Sequence, residues 1–169
     1  MEKHSDNIAI RPFKPEDAES CFRIRSEAFI REFYRELGPE SVVAGVNAYM
    51  PKDYVSMSEK MSFFVAELES QPVGFCVIRL LDTTTAEIFL IYVQLDHLGK
   101  GIGTQLVRFS ESFLKKRHPS ILEMMVDTVI PEYNQAFYEK LGFMSVGEHT
   151  YEFPGRSVLA VRLKKSLEP

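Results

Sequence analysis

Cysteine is scarce in this sequence. Cys21 and Cys76 are its two examples, too few and too far apart for a zinc site or a disulfide framework, which points to a reducing compartment. Each lies in an apolar run and reads as a small core residue rather than a nucleophile. Long apolar runs are missing too: no stretch approaches the ~20 residues that a membrane span needs, and Met1 to Asn7 is polar and mixed in charge. A cytoplasmic protein with no membrane partner is therefore expected. Basic excess is lacking too: 20 Lys and Arg are scattered among 24 Asp and Glu for a net charge of −4, which argues against nucleic acid as a partner. His4, His97, His118 and His149 show neither metal spacing nor a serine or cysteine partner motif, so no metal site is expected.

What is present describes one ordinary globular domain over residues 1–169, with 45% hydrophobic and 26% charged residues. Ile8 and Ile10 open with a short strand ending at Pro12. Lys14-Pro15-Glu16-Asp17 then supplies a helix start, and Ala18, Cys21, Phe22, Ile24, Arg25, Ala28 and Phe29 keep helical spacing to near Tyr34, with Gly38-Pro39 as the stop. Ser41 to Tyr49 and Val55 to Lys60 read as shorter helices around Met50-Pro51. Three strands follow, Ser62 to Leu68, Val73 to Leu81 and Ala86 to Val93, with short turns that predict an antiparallel meander. From Thr104 the set Leu106, Val107, Phe109, Phe113 and Leu114 lines a helix face closed by Lys115-Lys116-Arg117-His118 and Pro119. Ile121 to Val129 is the next strand, parallel to its predecessor by the right-handed crossover rule. Pro131 to Lys140 is a short helix stopped by Leu141-Gly142, and Phe143 to Phe153 with Ser157 to Leu163 forms a last hairpin across Pro154-Gly155.

The feature richest in chemistry is Gly99-Lys100-Gly101-Ile102-Gly103, between the strand ending at Val93 and the helix from Thr104. Glycine lets the backbone turn sharply and approach a ligand, while the first amides of the following helix stay unpaired at the positive end of its dipole. Such an arrangement suits a diphosphate, although glycines after a strand also make plain turns.

Several segments together narrow the choice. Ile10-Arg11-Pro12-Phe13, the run Ala86-Glu87-Ile88-Phe89-Leu90-Ile91-Tyr92-Val93, the glycine loop, and Asn134-Gln135-Ala136-Phe137-Tyr138-Glu139-Lys140-Leu141-Gly142-Phe143 resemble the GNAT superfamily of acyl-CoA-dependent N-acyltransferases. The resemblance spans nearly the whole chain. It implies an α/β fold of the α+β type, with a mixed, mostly antiparallel sheet of six to seven strands flanked by helices. At its centre the strands ending at Val93 and Val129 splay apart to take a pantetheine arm. It further implies acetyl-CoA as acyl donor and transfer of its acetyl group to a primary amine by direct attack in a ternary complex.

Residue by residue, the resemblance assigns cofactor contacts to Tyr92, Val93, Leu98, Gly99, Lys100, Gly101, Ile102, Gly103, Thr104, Asn134 and Phe137. Leu98 departs from the family, whose loop usually begins with Arg or Gln; the change removes a side chain but no amide. Lys100 either restores a charge there or is a solvated loop lysine, and His97 either touches a phosphate or lies at the surface. Asn134 either bonds the pantetheine arm or caps its helix.

Tyr138 is the candidate acid, placed by resemblance near the thioester sulfur so that its phenol can donate to the departing thiolate. A tyrosine here also fits as a buried aromatic packed on the sheet. Glu87 is the candidate base, the alternative being a solvent-facing strand residue; Glu32, Glu36 and Tyr92 are further candidates. A base matters because a lysine amine is neutral only about one time in 2,500 at pH 7, a handicap of roughly 4.6 kcal/mol. The oxyanion donor is expected to be a backbone amide at a strand bulge near Val93.

A dinucleotide-binding reading fits less well: the spacing is Gly-x-Gly-x-Gly, and the acid Glu123 falls inside the next strand. The stronger rival is a non-catalytic acyl-CoA-binding regulatory module of the same fold. The segment Phe29 to Lys60 should wall the acceptor cleft. Its mixture of Arg31, Arg35, Glu32, Glu36, Tyr34, Tyr49 and Tyr54 suits a small amine, an amino acid or a protein terminus alike, and the mildly acidic surface suits a cationic amine. A homodimer through exposed aromatic surface stays open.

Overall fold

The computed structural model describes residues 7–129, 131–153 and 156–168; the Pro154-Gly155 turn and His4 lie outside them. Its centre is a seven-stranded sheet. Strands β1 (Ala9–Pro12), β2 (Ser62–Leu68), β3 (Gln71–Leu80) and β4 (Thr85–Val93) run antiparallel in chain order. β5 (Glu123–Val129) is parallel to β4, and β7 (Arg156–Ser166) inserts antiparallel between β5 and the edge strand β6 (Met144–Phe153). The expected meander, crossover and closing hairpin are all present.

The turn expected over Glu69 to Pro72 is tighter than the sequence implies. Glu69 and Ser70 alone make it, both at positive φ (48° and 64°), as a two-residue hairpin matching strand twist requires. Pro72 is drawn into β3 beside a register shift between Ala66 and Glu67, a place where its missing N–H is tolerated.

Alternation along the strands sorts the core into two layers. Phe64, Ala66, Cys76 and Ile78 face Ile102, Leu106, Val107 and Leu114 of α3 (Ile102–Arg117), together with Tyr138 of α4 (Pro131–Lys140). Phe63, Val65, Phe75 and Val77 face Cys21 and Ile24 of α1 (Ala18–Asn47), with Tyr54 and Met57 of α2 (Pro51–Lys60). Both cysteines are buried.

The stop expected at Gly38-Pro39 becomes a break within α1. Gly38 leaves helical geometry at φ 76°, ψ 169°, and the helix resumes from Pro39, which suits a first turn. The two halves then fold against each other so closely that a Cβ on Gly45 would lie 2.5 Å from the Phe29 ring. A small cluster of Phe29, Phe33, Leu37 and Val42 packs under Val129, Phe153 and Val158 and carries the wall across the end of the sheet.

Candidate functional site

The central gap follows from strand register. β4 and β5 are paired only through Thr85↔Glu123, Ala86↔Met124 and Glu87↔Met125, although they continue to Val93 and Val129. Past Glu87 they part, leaving their facing backbone groups without a ladder.

The glycine loop stands at the end of β4. Gly101 caps α3 at φ 80°, ψ 8°, a left-handed geometry that a side chain resists, so α3 begins at Ile102, two residues before the expected start. The first amide with a helical partner is that of Gln105, which donates to Gly101 O at 3.0 Å. Those of Ile102, Gly103 and Thr104 precede it, and no side chain caps them. Ile102 itself is a core residue and presents only its backbone. Gly103 is required by close approach: a Cβ there would meet Phe137 Cζ at 3.2 Å and Val93 Cγ2 at 3.9 Å, so α3, α4 and the end of β4 converge on this glycine. Leu98 is exposed (48%), and Lys100 Nζ lies 3.3 Å from His97 Nδ1.

Tyr138 is buried (5% exposed), edge-on to Phe137 and Phe143 at centroid distances of 5.0 and 5.6 Å. Burial pushes its phenol up, and the nearby Cys76, Tyr92 and Glu32 act in the same direction, so it carries its proton. Tyr138 thus packs as a buried aromatic in the core layer between the sheet and α3. Asn134 is the fourth residue of α4, inside the helix rather than at its cap.

On the other side of the sheet, Glu87 is buried rather than solvent-facing (9% exposed), and Arg79 engages its Oε2 through Nε at 2.8 Å and Nη2 at 2.6 Å. Arg79 also lies over the Phe89 ring at 4.5 Å, and Phe89 meets Tyr49 edge-on at 6.0 Å. Arg25 continues this lining. Buried (4% exposed), it packs against the rings of Phe29, Tyr49 and Tyr92 at 5.1, 4.9 and 5.9 Å and donates through Nη2 to Gly45 O at 3.0 Å. Its cation thus sits at the C-terminal end of the second half of α1, where the helix dipole favours it. Glu32 is half-buried; burial pushes its carboxyl up, Arg31 partly opposing. Glu36 is exposed. On the neighbouring strands Asp127 accepts two bonds from Arg162, both 2.9 Å, and lies 3.4 Å from His149 Nε2.

The bulge of β4 falls at Phe89, the residue left without a partner between Ile78↔Ile88 and Val77↔Leu90, and not near Val93, which pairs regularly with Gly74. Sequence reasoning also missed Arg79 and Arg25 as parts of this lining. The first could be found from hairpin register across the Asp82 turn; the second stands on the buried spacing of α1, where a charged residue marks something to be explained. Two concavities, of about 250 Å³ beside Phe13 and Phe113 and about 330 Å³ beside Thr84 and Leu122, contain none of the residues expected to contact the cofactor or to act as acid or base in the transfer. Among the described residues no helix is long and apolar enough to cross a membrane, and no group of three His, Cys, Asp or Glu is placed to hold a metal.

Comparison with known proteins bears on the same elements. The family described as Acetyltransferase (GNAT) family matches residues 19–143. An uncharacterized N-acetyltransferase of Methanocaldococcus jannaschii is 37% identical over 87 residues, which is 48% of this chain and 38% of that protein, so the match spans well under two thirds of the relative's length. Among solved structures, Ard1 from Thermoplasma volcanium superposes with a TM-score of 0.78 at 21% identity, covering 96% of this chain and 99% of that one. PaiA N-acetyltransferase from Thermoplasma acidophilum, in complex with coenzyme A, gives 0.76 at 20% identity over 95% and 99%. At these identities the structures share the fold.

Proposed function

The chain belongs to the GNAT acetyltransferase family, and from that premise we propose that it transfers the acetyl group of acetyl-CoA to a primary amine by direct attack in a ternary complex. The observation that carries this reading is the set of uncapped amides, Ile102 to Thr104, at the mouth of the gap between β4 and β5. A diphosphate would accept from those amides at the positive end of α3, with Gly99 and Gly101 leaving the approach free of side chains and Lys100 adding charge. Leu98 contributes no polar group. The pantetheine arm would lie along Tyr92 and Val93, with Phe137 and Asn134 opposite. A structural neighbour with coenzyme A bound supports this donor class.

Chemistry would then follow from what lines the gap. Holding amine and thioester together replaces a bimolecular encounter. The amine arrives as an ammonium and must pass a proton to a carboxylate before it attacks, for which Glu87 and Glu32 are the candidates set back from bulk solvent. As the C–S bond breaks, the Tyr138 hydroxyl donates to the departing sulfur, a role that suits a phenol held protonated by burial.

Isothermal titration with acetyl-CoA tests the reading. Binding by the native chain that is lost in Gly101→Glu, where a charged side chain enters the loop, is the expected result. No binding of acetyl-CoA by the native chain would overturn it. The exposed Leu98 gives some footing to the alternative, a regulatory module that binds acyl-CoA without turnover; acetyl-CoA binding with no product from a broad amine panel would favour that module.

A further inference from the structure

Two carboxylates stand near the acceptor side, and they differ in what already holds them. Glu87 Oε2 takes both Arg79 contacts, so a proton arriving on that carboxylate would discharge an existing ion pair. Glu32 accepts no hydrogen bond and forms no ion pair among the described residues. It lies on α1 beside the buried Ala28, Phe29 and Phe33, half withdrawn from water. Its electrostatic partners are Arg31 on its own helix, Tyr92 on β4 and Tyr138 on α4. Position separates the two carboxylates: Glu32 stands on α1 between Phe29 and Phe33, whose cluster packs with Val129 of β5, and two turns past Arg25, which lies 5.9 Å from the ring of Tyr92 on β4, so it belongs to the open end of the gap, whereas Glu87 occupies the last paired position of β4 and β5.

We infer that Glu32 is the residue that takes the proton from the acceptor ammonium, while Glu87, held by Arg79, lines the acceptor side as a fixed charge. The inference rests on the acetyltransferase reading above. In the step, one N–H proton of the ammonium passes to a Glu32 oxygen, directly or through one water, and the freed lone pair forms the C–N bond to the acetyl carbon. The C–S bond breaks with its electron pair going to sulfur, which Tyr138 protonates. A second proton on nitrogen leaves to solvent while the third stays on the amide; Glu32 then releases its proton to solvent, and Tyr138 takes one back from it. Burial favours this assignment in two ways: it raises the affinity of Glu32 for a proton, and it leaves that carboxylate without a competing cation apart from Arg31.

The test compares the native chain with E32Q on two acceptors of different basicity, a peptide with a free α-amine and one with only a lysine amine, at saturating acetyl-CoA from pH 6 to 10. E32Q should lose at least tenfold in kcat at pH 7, more on the lysine peptide, while the Kd for acetyl-CoA stays the same. The deficit should shrink as pH rises and the amine deprotonates without help. A native-like rate for E32Q, or a deficit constant across pH, overturns the inference while leaving the acetyltransferase reading intact. Failure of the native chain to bind acetyl-CoA sinks that reading instead. A second measurement needs no turnover: carbon-13 NMR of the Glu32 carboxyl, assigned by its loss in E32Q, should titrate above the ordinary glutamate value of about 4.3. A midpoint at or below that value also overturns the inference.

Discussion

Arg79 and Glu87 face each other across β3 and β4 as Cα partners, and the guanidinium grips Oε2 from two nitrogens while its carbon lies over the Phe89 ring. This pair anchors a continuous line of contacts from Glu87 through Arg79, Phe89 and Tyr49 to Arg25 and Tyr92. Whatever enters on this side meets a surface whose charges and rings are already fixed by one another.

Tyr138→Phe should separate packing from chemistry. The ring contacts with Phe137 and Phe143 survive, so acetyl-CoA affinity should be unchanged by calorimetry. Turnover should fall by about 100-fold, the lower range for loss of a general acid. Unchanged turnover would leave Tyr138 as a core aromatic only.

Alkaline pH should weaken the fold. Burial pushes the Cys76 thiol up to about 12, and the Cys21 thiol and Tyr54 phenol up as well, from ordinary values near 8.5 and 10. Above about pH 8.5 the unfolded chain releases the thiol protons, and above about pH 10 the phenol proton, while the folded chain keeps them. The thiol contribution is therefore complete below about pH 8.5 and that of the phenol below about pH 10, and both are lost as pH rises further. Each buried thiol should add a slope of about −1.4 kcal/mol per pH unit between pH 9.5 and 11. Urea melts of native chain and Cys76→Ala across that range should differ in slope by this amount.

Asp17→Asn should loosen the junction of β1 and α1. The carboxylate accepts from Arg11 Nη1 and Nη2 at 2.8 and 2.9 Å and from the Lys14 amide at 2.8 Å. Burial pushes the carboxyl up, but the bonds from Arg11 and Lys14 outweigh it and hold it below the ordinary range. That stabilisation is present above about pH 4 and disappears as pH falls through the lowered value. A loss of about 2 kcal/mol at pH 7 is expected in denaturant melts, shrinking on acidification.

Gly45→Ala should cost more than any helix propensity gained. The added methyl would lie 2.5 Å from Phe29 Cε1 and Cζ, so the two halves of α1 must separate or the ring must turn. A loss of about 1–3 kcal/mol is expected, and Phe29→Leu in the same chain should recover part of it in thermal melts.

The sequence marked elements wherever a local rule decided them. Ser62 to Leu68 was legible to the residue because an apolar run met a helix end on one side and a turn on the other. Pro131 and Leu141-Gly142 likewise bounded α4. Rules that depend on partners were not legible. The left-handed Gly101 brings α3 forward to Ile102, and the bulge falls at Phe89 because of how β3 and β4 align. The grip of Arg79 on Glu87 and the box around Arg25 arise only once register and the fold-back of α1 bring distant residues together. Of the candidate site, the loop and Tyr138 announced themselves by motif, whereas the electrostatic setting of Glu32 came from packing alone.

Three residue pairs join β4 to β5. Mechanically the molecule is therefore two small sheets, one of four strands and one of three, sewn together at one end like the covers of a book. Spreading the covers at the open end breaks no ladder hydrogen bonds, so the sheet itself offers little resistance to widening there. Stiffness at that end must come from the flanking layers, where Phe137 leans on Gly103 and Phe153 on Phe29 and Phe33. A chain-like guest bonded to both covers would act as the missing spine, and the strength of its grip and the rigidity of the whole protein would rise together.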